Sequence, residues 1–208
     1  MKKFSKKGVL LFAAAMALCA FAMPSMTSAA SWGVVGSEHT LDSPNVGFTS
    51  TSGVVGRIIS QCTSSSFTTT VASAQNLEIT SGRFGGQCAA TFPDAGATAN
   101  CTVTAVGTRF PWTGTARTTT DIQIHGIHID VTFENTPADT SCAAVGLNGA
   151  KLTITGTLTG GHWTGNSLHH IDFVDAEGLV IHSALGNNVP VTTRATFRDT
   201  AQTLIVTG

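Results

Sequence analysis

Three polar side chains on one predicted strand offer the best-defined chemistry in the chain. His125, His128 and Asp130 fall within residues 121–134, where the apolar positions change parity. Ile122 and Ile124 are even, whereas Ile127, Ile129, Val131 and Phe133 are odd. One slip at His125-Gly126 explains the change, and glycine is what a β-bulge favours there. With that slip Gln123, His125, His128, Asp130, Thr132 and Glu134 share a polar face. Imidazole nitrogens and a carboxylate oxygen suit zinc or a similar divalent metal, and a hydrolytic role could follow. The plainer reading is a solvated outer face that carries two histidines.

A second cluster comprises His162, His169, His170, Asp172 and Asp175. His170 and Asp172 alternate with Ile171 and Phe173, so they should share a polar face as a further candidate metal pair. Combining them with His125 and His128 requires the two strands to be neighbours. Trp163, beside Gly160-Gly161-His162, is the expected exposed aromatic. With His162 it forms a candidate binding patch. Trp112, in Phe110-Pro111-Trp112, reads as a core anchor.

Catalytic templates are incomplete, and no catalytic residue is assigned. Gly165-Asn166-Ser167-Leu168-His169 begins like a nucleophile elbow but has His169 where the second glycine belongs. Neither a phosphate-binding loop nor a dinucleotide fingerprint is present. Thr153, Thr155, Thr157 and Thr159 align four hydroxyls on one strand face, but no other segment repeats the array.

These residues must be positioned by an all-β body. Threonine is abundant, apolar residues alternate as in strands, and turn chemistry recurs at Pro93-Asp94-Ala95-Gly96, Asp175-Ala176-Glu177-Gly178 and Gly186-Asn187-Asn188. Strands are expected near 54–60, 65–72, 77–84, 101–109, 121–134, 151–159, 168–174, 179–183, 189–197 and 202–207. Gly160-Gly161 is expected to turn the chain. About ten short strands predict an antiparallel β-sandwich or barrel. The domain should cover 53–208, preceded by a loosely structured segment over 31–52.

Residues 1–30 read as a cleaved signal peptide, with four lysines before an apolar stretch and small residues at Thr27-Ser28-Ala29-Ala30. Four of the 11 basic side chains of the 208-residue chain lie there, leaving seven against 12 acidic ones beyond residue 30. That balance argues against a nucleic-acid partner, which needs a basic stripe. It leaves an unknown extracellular ligand or envelope component, with no membrane span after cleavage and no cofactor unless the metal site is real. Cys62, Cys88, Cys101 and Cys142 remain, an even number that favours two disulfides in an exported chain. A hairpin turning near residue 75 sets Val71 against Ile79 and Cys62 against Cys88, leaving Cys101 for Cys142. Gly82 marks a register slip on that arm.

Gln61-Cys62-Thr63-Ser64-Ser65, the later Cys88, Phe110-Pro111-Trp112 and Thr196-Phe197-Arg198-Asp199-Thr200 together resemble exported Thr/Gly-rich, disulfide-containing all-β bacterial proteins. The resemblance implies a fold and a destination in the medium or the cell envelope. It carries no functional residue across. The expectation is therefore a secreted, disulfide-stabilised binding or structural module without catalytic activity, and the alternative is a metal-dependent protein using the 121–134 strand.

Overall fold

A computed structural model describes residues 30–95, 99–165, 169–183 and 186–208. The expected signal peptide, apart from Ala30, and Ser167 lie outside them. The body is nearly all strand: β1 (Ser31–Trp32), β2 (Glu38–Ser43), β3 (Val46–Ser52), β4 (Gly56–Val71), β5 (Asn76–Phe92), β6 (Ala99–Gly107), β7 (Trp112–Thr118), β8 (Asp121–Glu134), β9 (Lys151–Thr164), β10 (His170–Ser183), β11 (Gly186–Asp199) and β12 (Val206–Thr207). A single-turn helix, α1 (Ser141–Ala144), follows β8.

Several expected short strands are halves of long ones. Segments 54–60 and 65–72 merge into β4, and 168–174 and 179–183 into β10. Gly160-Gly161 lies inside β9 rather than turning the chain. The residues read as a turn at Asp175-Ala176-Glu177-Gly178 form bulges, with register shifts on both sides of Ala176. Bulges draw on the same small and polar residues as turns, because both need unusual backbone angles. Of 202–207, only β12 is strand.

Residues 31–52 are also built in rather than loose. β2 and β3 lie along β4 in one register, with Ser43 opposite Ser65 and Val46 opposite Cys62. They form one strand interrupted at Pro44-Asn45, where proline has no N–H for the ladder. β6 and β7 likewise follow β5 in one register, with residues 108–111 looping out. Each long strand pairs antiparallel with the next, and β11 pairs back onto β2 and β3.

One face of these strands holds a continuous apolar core. Phe67 is its hub, with ring centroids 5.5 Å from Phe84, 5.5 Å from Phe197 and 5.8 Å from Trp112. A cavity of about 50 Å³ remains among these rings, well short of the roughly 150 Å³ that admits benzene. Trp112 is the anchor expected, its Nε1 donating to the Thr108 carbonyl. β1 and β12 pair across one end of the core, where Trp32, Leu204 and Val206 are buried.

Both expected disulfides form. Cys62–Cys88 joins directly opposed residues of β4 and β5, and Cys101–Cys142 ties β6 to α1. Val71, however, faces Leu77 rather than Ile79. β5 gains one residue on β4 between Ile79 and Ser81, close to Gly82, and another between Gly85 and Cys88. The second bulge contains Gly86 at φ 69°.

Candidate functional site

β8 is bulged as its sequence requires. Gly126 takes φ 73°, register shifts flank Ile124, and Ile127, Ile129, Val131 and Phe133 turn inward. The outward side chains are engaged by threonines from neighbouring strands. His125 lies 3.0 Å from Thr115 Oγ1 through Nε2 and 3.3 Å from Thr157 Oγ1 through Nδ1. His128 Nδ1 is 2.8 Å from Thr108 Oγ1, and Asp130 accepts from Thr108 and Thr153 at 3.2 and 3.1 Å.

The four-threonine array of β9 is consumed the same way. Thr153 serves Asp130, Thr155 meets His182 Nε2 at 3.0 Å, Thr157 meets His125, and Thr159 donates to the Glu177 carbonyl. His128 Nδ1 and Asp130 Oδ1 are 3.8 Å apart, while His125 is held by a different pair of threonines beyond the bulge. Among the described residues, no three His, Cys, Asp or Glu side chains are grouped so as to hold a metal ion.

The second cluster yields a pair. His170 Nε2 and Asp172 Oδ2 are 2.7 Å apart, and Asp172 accepts from Thr196 Oγ1 at 2.6 Å. β9 separates β10 from β8, so this pair does not join His125 and His128. His162 is exposed opposite Asp172. Trp163 is not an exposed platform: it is 6% exposed and meets the His169 ring edge-on at 6.1 Å. Its β9 position points inward, next to Gly161, which the sequence reading had placed in a turn.

A buried ion pair escaped the sequence reading. His39 (5% exposed) and Asp199 (2%) come from β2 and β11, with Nδ1 to Oδ2 at 3.3 Å. Asp199 Oδ2 also accepts from the N–H groups of Thr203 and Leu204, each at 2.7 Å. Burial alone raises this carboxyl. The N–H donors of Leu204 and Thr203, the His39 ring and the Ala201 N–H outweigh it and hold the group below its ordinary 3.8.

His39 Nε2 lies 2.8 Å from Ser37 Oγ, completing a Ser–His–Asp sequence of contacts. Ser37 Oγ already donates its only proton to the Val34 carbonyl at 2.6 Å. Towards His39 it is therefore an acceptor, the reverse of what a nucleophile handing its proton to a base requires. The set is a polar clamp between β2 and the chain after β11. Its one local signal was Asp199 ahead of Thr200, a carboxylate placed to accept from the N–H groups that follow.

Asp199 also lines a polar concavity, a cleft of about 620 Å³ beside the Pro44-Asn45 interruption. Arg83, Ser66, Asp42 and Arg198 stand opposite one another in a row across β5, β4, β2 and β11. Ser64 and Ser66 supply hydroxyls along one wall, whereas Ser65 faces the core beside Ser43 and Phe84. Ser65 is 4% exposed, and its Oγ has no hydrogen-bond partner. A buried hydroxyl left unpaired costs about 1–3 kcal/mol, a local loss of stability on the core side of β4. The ion pairs among the described residues involve Arg194 and three histidines, leaving Arg83 and Arg198 without carboxylate partners.

No protein-family model, curated protein or solved structure matches this chain. The cleft is what remains on chemical grounds: two guanidinium groups with unused donors, the outward hydroxyls of Ser64 and Ser66, and one outward carboxylate. It can hold a hydroxylated ligand through hydrogen bonds and an oxyanion through bidentate contacts. It lies on strands, which hold such groups more firmly than loops do.

Proposed function

We propose that this protein is an exported, disulfide-stabilised binding module without catalytic activity, acting outside the cell or in its envelope. In this reading the circuit of pairings is a closed barrel with a filled interior, and the ligand binds in the cleft beside Pro44. Eight long strands, with β2–β3 and β6–β7 each counted as one, suit an interior that side chains fill.

Two disulfides fit an oxidising compartment. No described helix is long and apolar enough to cross a membrane. The outward residues of β8 and β9 are mostly Thr, His and Asp, unlike the apolar exterior of lipid-facing strands. The observation carrying the proposal is the row of Arg83, Ser66, Asp42 and Arg198 across four strands, whose two guanidinium groups have no carboxylate partner among the described residues.

Ligand screening by amide NMR on the disulfide-intact protein tests the proposal. Sugars, organic acids and short peptides at millimolar concentration should shift resonances of Ser43, Asn45, Ser64, Ser65 and Ser66. An unchanged cleft, or shifts centred on His125 and His128, would overturn it.

A further inference from the structure

We infer that the ligand of this cleft is an acidic polysaccharide, a chain of sugar units carrying both carboxylates and hydroxyls. The inference rests on the cleft being the binding site. Arg83 and Arg198 mark the two ends of a four-strand row. At about 4.8 Å between strands, their backbones stand roughly 14 Å apart. That spacing suits two charged groups along an extended chain better than one small anion. Both side chains are exposed and without a carboxylate partner among the described residues, so their bidentate donors are available.

The groups between them select against a purely anionic ligand. Asp42 lies in the middle of the row and accepts only from donors, so a dense polyanion such as polyphosphate meets repulsion there. Sugar hydroxyls can donate to Asp42 and pair with Ser64 and Ser66. No aromatic residue lines the cleft, so it offers no stacking surface for a neutral sugar. Affinity must then come from the arginine–carboxylate contacts and the hydroxyl network. The Asp199 carboxylate, though at the wall, is committed to its own backbone donors.

The experiment is calorimetry with oligogalacturonate, using neutral galactan oligomers and polyphosphate as comparators, on the disulfide-intact protein. Oligogalacturonate should bind, more weakly as salt rises. Arg83→Gln and Arg198→Gln should each weaken it about tenfold or more, as loss of hydrogen bonds to a charged group implies. Both arginines are exposed, so melting temperatures should not move. Ser66→Ala, which removes an outward hydroxyl from the middle of the row, should weaken binding while leaving the melting temperature unchanged. Asp42→Asn should raise affinity for polyphosphate.

Equal binding of neutral galactan in the same cleft would overturn the acidic class while leaving the binding module standing. Stronger binding of polyphosphate than of oligogalacturonate would overturn the polysaccharide assignment. Binding that is indifferent to Arg83, Arg198 and Ser66 would overturn both the ligand class and the site.

Discussion

Replacing Gly82 with alanine probes the packing hub directly. A Cβ on Gly82 would lie 2.1 Å from Phe67 Cδ1 and 2.5 Å from Cε1, against about 3.4 Å for ordinary contact. The ring would have to retreat by more than 1 Å. Phe84, Phe197 and Trp112 all pack against that ring, with centroids within 5.8 Å. Overpacking of this kind costs about 1–3 kcal/mol. Phe67→Leu removes the obstructing ring at a cost of about 1–2 kcal/mol. If the clash is the cause, Phe67→Leu relieves it, and the double variant is more stable than the summed single losses by at least about 1 kcal/mol. Equilibrium urea unfolding followed by tryptophan fluorescence, with disulfides intact, measures all four corners of the cycle. Additivity to within about 0.5 kcal/mol would refute the argument, since the cost would then lie in the backbone at residue 82.

Three further outcomes are expected. Asp199 is held below its ordinary value, so its contribution to stability is full above about pH 4 and is lost as pH falls through the lower folded value. Urea midpoints measured from pH 7 to pH 2.5 should show this decline, and Asp199→Asn should flatten it while lowering stability at neutral pH by about 2–4 kcal/mol. Ser37 should resist a fluorophosphonate probe that labels activated serines; a stoichiometric adduct on Ser37 by mass spectrometry would contradict the clamp. Added zinc should leave the melting temperature unchanged, in wild type and in His125→Ala alike, and a zinc-dependent rise lost in His125→Ala would restore the metal reading.

Legibility of this fold in the sequence depended on how local each signal was. The bulge in β8 was readable because six isoleucine, valine and phenylalanine positions flank one glycine and register the change of parity. The Cys62–Cys88 pair was readable because it belongs to a hairpin, although two bulges in β5 displaced the intermediate residues. β2 and β3 were hidden because their inward positions include Ser43, Ser50 and Ser52, buried but not apolar. Gly160-Gly161 and Asp175-Ala176-Glu177-Gly178 misled because bulges and turns draw on the same residues. His39 and Asp199 are 160 residues apart, and no periodicity in a single sequence connects them. The cleft was invisible for a related reason: its row of four residues is drawn from four different strands.

The return of β11 to β2 and β3 bears on the order of events during synthesis. Val46–Ser52 finds one partner as soon as β4 exists, but its other edge stays bare until Gly186–Asp199 has been made. Pairing across so long an interval carries a large loop-closure cost and slows folding. A chain halted before Val191 keeps that edge open, and one halted before Asp199 leaves His39 without its carboxylate partner. Completion of the circuit thus waits for β11, and the His39–Asp199 contact can form only once residue 199 has been made.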